Sequence, residues 1–161
     1  MRTPVAALIF FACSASAHAL CIYGGDLYAK TTIEQEFHDS SIVIKGTVLS
    51  EKDVLLRSTK EEGGEPGVVY RIRVDHAFKG MPAKVIEDFS ERDSGGFYLD
   101  AGTQYLLFLN RMADDDRAKG VAPGALRVNY NCGQSQPWSG LKADTEELLA
   151  RLSTPSRSPQ P

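Results

Sequence analysis

The sequence is poor in the residues from which metal and redox centres are built. Its 161 residues include three cysteines and three histidines. Cys13 and His18 fall within the first nineteen positions, which leaves His38, His76, Cys21 and Cys132 spread along the rest of the chain. None of these has the close ligand spacing of a zinc centre. A surplus of positive charge is also missing, since 18 Lys and Arg stand against 21 Asp and Glu for a net charge of −3. Nucleic acids and anionic membrane surfaces select basic patches, so this balance argues against both as partners. No apolar run reaches the roughly 20 residues of a transmembrane helix, and no membrane span is expected. No glycine loop after a strand offers a phosphate cradle, and no paired carboxylates stand out on one element. No cofactor and no metal is expected.

The N-terminus has a different character. Arg2 supplies a positive charge, Val5-Ala-Ala-Leu-Ile-Phe-Phe-Ala12 is a short apolar run, and Ala17-His18-Ala19 fits a small-x-small cleavage site. Residues 1–19 therefore read as a signal peptide cleaved after Ala19, and the chain as exported to a periplasm or to the medium. A lipoprotein beginning at Cys21 is disfavoured because Leu20 stands where a small residue is wanted. The expected domain is residues 20–152, with a disordered tail over 153–161, which is rich in Ser and Pro.

Cys21 and Cys132 remain after cleavage. An isolated even pair in an oxidising compartment most simply forms one disulfide. Free thiols, or a dimer bridge through Cys21, are the other readings.

Alternation and turn signals give a mostly β chain. Residues 31–38 begin with Thr and carry Glu or Gln three positions later, a capping-box signature for a short helix. Residues 41–49 form a strand with Ile42, Ile44 and Val48 on one face and Gly46 at a bend or close approach. Residues 54–59 predict a second strand and 60–67 a hairpin tip. Residues 68–78 predict a third, with Tyr70, Ile72, Val74, His76 and Phe78 on one face and Arg71, Arg73 and Asp75 on the other. A weaker strand spans 84–89. Residues 103–109 are apolar on both faces and should be central. A long exposed loop is expected over 110–124 and a strand over 125–130. A helix near 141–152 could be capped by Ser139 or Asp144, with Leu141, Leu148, Leu149 and Leu152 as its apolar contacts. Five or six short strands with few helices indicate a small barrel or sandwich.

Two motifs suggest chemistry and fail on inspection. Asp93-Ser94-Gly95-Gly96 is similar to the nucleophile turn of chymotrypsin-like proteases, but Arg92 replaces the preceding glycine and the chain is too short for two barrels. His76 reads as a core histidine rather than a base. Asp114-Asp115-Asp116 lacks the alternating oxygen ligands, central Gly and terminal Glu of a calcium loop. No catalytic residue is nominated, and the chain reads as a non-enzyme.

The order of the pieces resembles the netrin-like domain shared with tissue inhibitors of metalloproteinases, in its bacterial form. The matching features are a cysteine near the mature N-terminus, a short helix, Ser41-Ile-Val-Ile-Lys-Gly-Thr-Val48, and Tyr70-Arg-Ile-Arg-Val74 running into Ala77-Phe-Lys-Gly80. Gly102-Thr-Gln-Tyr-Leu-Leu-Phe-Leu109 and Asn131-Cys132-Gly133 complete the series. The resemblance covers about residues 21–152. It implies an OB-type five-stranded Greek-key barrel with an N-terminal and a C-terminal helix, and it matches Cys21 and Cys132 to one family disulfide. The chelating cysteine of the inhibitors would fall at Ala19, inside the signal, and the partner of that cysteine would fall at Ser94. Zinc-chelating inhibition is therefore not expected. The expected function is an exported non-catalytic binding module acting on another exported protein. An envelope scaffold component, or a hydrolase with an unrecognised site, are the alternatives.

Overall fold

The computed structural model describes residues 21–56, 65–93, 95–112 and 121–154. The signal reading of residues 1–19, the hairpin tip up to residue 64, Ser94, residues 113–120 of the expected loop with Asp114–Asp116, and the tail from residue 155 lie outside these residues.

The fold is mainly β, a closed five-stranded OB-type barrel with two helices. Two short strands, β1 (Ile22–Tyr23) and β2 (Asp26–Leu27), form a separate hairpin and precede helix α1 (Ile33–Asp39). The barrel strands are β3 (Ile42–Leu56), β4 (Glu65–Lys79), β5 (Val85–Glu91), β6 (Gln104–Arg111) and β7 (Leu126–Val128). They run in the order β3-β4-β5-β7-β6 and close through antiparallel pairing of β3 with β6. The β5–β7 pairing is parallel, and the others are antiparallel. A two-residue strand β8 (Gln136–Pro137) flanks β6, then a 3₁₀ turn at Trp138–Gly140 leads to helix α2 (Thr145–Ser153).

Thr32 caps α1 as the sequence pattern requires. Its hydroxyl accepts from Gln35 N, and the Gln35 side chain accepts from Thr32 N. Lys79 Nζ donates to the carbonyls of Phe37 and His38 at the other end, meeting orphan acceptors there. Ile42, Ile44 and Val48 enter the barrel interior with Tyr70, Ile72, Tyr105, Leu107 and Leu109. The opposite faces of β3 and β6 send Val43, Leu106 and Phe108 outward under Phe37 and Leu149 of the helices. β6 is thus covered on both sides, as its two apolar faces demand.

Four expectations need correction. Residues 54–56 do not begin a new strand; they continue β3, whose partner β4 starts at Glu65. His76 and Phe78 do not share the core face of Tyr70 and Ile72. The β3–β4 register shifts between Lys45 and Gly46 and again between Val43 and Ile44, and each extra residue on β4 reverses which way the following side chains point. His76 is consequently exposed and Phe78 joins the outer cluster. Gly46 sits at the first shift, where a Cβ would lie 2.7 Å from Ile72 Cγ2. The C-terminal helix begins at Thr145, because Trp138–Gly140 takes a 3₁₀ turn first, and it includes Ser153, which was expected in the tail. Asp144 holds the N-cap position in a helical conformation, with no side-chain cap hydrogen bond. Lastly, the strand expected over 125–130 is limited to Leu126–Val128.

Candidate functional site

Gly24 and Gly25 have φ of +59° and +94°. Two successive residues in that region form the turn whose twist suits a two-residue hairpin, and glycine enters it without steric strain. An added Cβ would meet nothing within 4 Å at either position, so glycine is favoured here by backbone conformation rather than by space. The turn sets Ile22 opposite Leu27 and Tyr23 opposite Asp26. Tyr23 faces the body of the protein, its ring centroid 5.0 Å from that of Tyr130, and its hydroxyl donates to Asp39. Burial and that hydrogen bond push the Tyr23 phenol up to about 12. Ile22 and Leu27 project from the other face, 58% and 59% exposed. Tyr28, 52% exposed, follows at φ 53°, and its N–H donates to Cys21 O at 2.8 Å.

This apolar ridge is clamped from behind. The Cys21–Cys132 disulfide joins its base to the turn after β7, with the Cα atoms 6.0 Å apart. Tyr130 Oη donates to Ala29 O, and Gln134 Nε2 donates to Thr31 O. Glu36 is fully buried at the centre of the clamp, where its Oε1 accepts from Thr31 Oγ1 and from Gln134 N. Burial raises the Glu36 carboxyl above its ordinary value, and those two hydrogen bonds oppose the shift. Gly133 leaves the room for this carboxylate, because a Cβ there would collide with it. A groove of about 380 Å³ runs beside the hairpin, lined by Ile22, Asn110, Arg127 and Asn131 among others. The site therefore offers exposed apolar contacts on a pre-ordered frame, with amides and one guanidinium beside them.

No family model and no curated protein matches the chain.

Of the residues singled out from the sequence, Cys21 and Cys132 are brought together, and His38 and His76 are not. His38 is exposed beside Asp39, and His76 lies edge-on to Phe78 at 4.5 Å. Among the described residues no group of three His, Cys, Asp or Glu is placed to hold a metal. The hairpin was missed, although Gly24-Gly25 between Ile22-Tyr23 and Asp26-Leu27 is a recognised turn signal. Asp88 was missed as well. It is wholly buried on the inner face of β5 between Ile86 and Ser90, paired in register with Tyr70, and neither carboxylate oxygen has a partner among the described residues. Burial holds its carboxyl well above the usual aspartate range, and the attraction of Arg127 only partly opposes this.

Proposed function

We propose that the protein is an exported, non-catalytic binding module of the netrin-like type, which engages another exported protein through the hairpin ridge of Ile22, Leu27 and Tyr28. The observation that carries this reading is the exposed cross-strand pair Ile22 and Leu27 on a disulfide-clamped frame. A soluble surface gains nothing from such a pair by itself. Held rigid, it loses little conformational freedom when a partner covers it. The barrel order, with the N-terminal segment bonded to the turn after the last barrel strand, supports the netrin-like resemblance. Cleavage after Ala19 would start the mature chain at Leu20. That residue precedes the bridged cysteine rather than being clamped itself, and the amide nitrogen of Cys21 is a poor metal ligand because its lone pair is delocalised into the peptide bond. Chelation of a protease zinc is thus not part of the proposal.

The test pairs cross-linking with one variant. Mature protein is added to the exported fraction beside Ile22→Glu/Leu27→Glu, with thermal unfolding used to match their folds. A stoichiometric adduct formed by the native chain and lost in the variant is the expected result. An adduct of equal yield in both, or none in either, removes the hairpin from the proposal.

A further inference from the structure

Within the barrel β5 joins β7 through one parallel bridge, Asp88↔Leu126. β7 begins at that residue, so the first half of β5 runs past its end. Arg92 N donates to Pro66 O and Val74 N donates to Lys84 O, each at 2.9 Å. Opposed residues in an antiparallel pair alternate between exchanging hydrogen bonds and not doing so. The even-numbered residues of β5 therefore turn their N–H and C=O groups toward β4, while Val85 and Glu87 turn theirs away from it. The Asp88↔Leu126 bridge takes Glu87 C=O and Phe89 N–H, and among the described residues no strand lies beside Val85 N–H, Val85 C=O or Glu87 N–H on that side. Unpaired backbone of this kind is a template for an incoming strand.

The open edge forms one wall of a groove of about 440 Å³. Val85, Ala83, Ala122 and Pro123 give it exposed apolar surface, and Arg71 and Arg111 line it against a single acid, Glu87. Arg71 and Glu87 are cross-strand neighbours, which leaves one guanidinium in excess. Among the described residues neither arginine has an ion-pair partner.

We infer that this seam is a docking site for an extended acidic segment of a protein partner, which adds as a strand along Val85 and Glu87 and sets a carboxylate against Arg71 and Arg111. In such docking the main-chain hydrogen bonds provide affinity, and the alternate side chains provide selectivity. The seam and the hairpin ridge use different residues, so either surface can fail without the other.

The probe is a displayed library of random dodecapeptides, selected on the disulfide-intact protein, with the enriched sequences resynthesised. Enriched peptides should carry Asp or Glu within an extended apolar stretch and slow amide exchange at Val85 and Glu87 at least tenfold. Val85→Pro should weaken them at least tenfold. It removes only an outward N–H, and proline is tolerated on strand edges for that reason. Arg111→Glu, which leaves every backbone hydrogen bond in place, should weaken them to a similar degree and decides the question if Val85→Pro does not fold. Ile22→Glu/Leu27→Glu should leave their binding unchanged. The inference is overturned if no peptide is enriched, if the enriched peptides lack acids, if protection falls at Tyr28 instead, or if Arg111→Glu binds as the native chain does.

Discussion

A carboxyl group buried with neither oxygen hydrogen-bonded, as in Asp88, keeps its proton because ionisation would strip the charge of water without replacement. The unfolded chain gives up that proton at the ordinary aspartate value. Between that value and the raised one the folded state binds more protons, so stability falls as pH rises, by up to about 1.4 kcal/mol per pH unit for one group. Glu36, also raised by burial, acts in the same direction. Urea midpoints of Asp88→Asn should show a shallower decline as pH rises above about 4 than those of the native chain, and a higher midpoint at the alkaline end. An unchanged slope would assign the response to Glu36 alone. Gly133 provides a second prediction. The Cβ of Gly133→Ala enters the space of a Glu36 carboxylate that cannot retreat without losing Thr31 and Gln134. Overpacking of this sort costs about 1–3 kcal/mol. Adding Glu36→Ala should recover part of that loss, and additive losses in the double variant would show that the two positions do not touch.

The hairpin β1–β2 depends on a turn that most residues resist. Gly24→Val places a β-branched side chain at φ +59° and should abolish exchange protection of the Tyr28 amide, which donates to Cys21 O. Gly24→Asn should retain it, since asparagine tolerates that conformation. The thermal midpoint should barely move in either variant, because Ile22 and Leu27 are exposed and contribute nothing to the barrel core. Equal protection in the two variants would mean that the turn does not set the hairpin. Local signals of this type were readable wherever one residue type decides the outcome. The Thr32–Gln35 capping box, the two apolar faces of β6 and the bend at Gly46 all stand where the pattern put them. What alternation could not reveal was a change of phase. The two register shifts opposite Lys45 and Val43 depend on how β4 wraps the barrel, and they move His76 and Phe78 out of the face that Tyr70 and Ile72 occupy. Asp88 was illegible for a related reason. Nothing in Lys84-Val-Ile-Glu-Asp-Phe89 says which of its two acids will face inward, since that is settled by pairing with residues far along the chain.

Beyond the continuous chain, one disulfide cross-links the clamp to the end of the barrel. Cys21 and Cys132 are 111 residues apart and lie on either side of the five barrel strands, so their bridge closes nearly all of the described fold into one loop. Loop-closure entropy for such a span is worth on the order of 4–5 kcal/mol, and loss of a native bridge typically costs about 2–5 kcal/mol. The barrel interior does not draw on residues 21–36; it is built from β3 to β7 together with Leu99. Reduction, or Cys132→Ala, should therefore lower the denaturant midpoint while leaving the barrel folded in water. Amides of Leu107 and Ile44, both fully buried, should stay protected. The amide of Tyr28 should lose its protection, because among the described residues the segment it belongs to is then held by the Tyr130, Gln134 and Glu36 hydrogen bonds and the Tyr23 contacts without a covalent tie at its base. The hairpin ridge should loosen in the same step, so the proposed cross-linking through Ile22 and Leu27 should weaken on reduction while the proposed peptide capture at Val85 persists. If Leu107 loses protection together with Tyr28, the bond is a condition of the barrel itself, and the division into a self-sufficient barrel and a disulfide-held ridge is wrong.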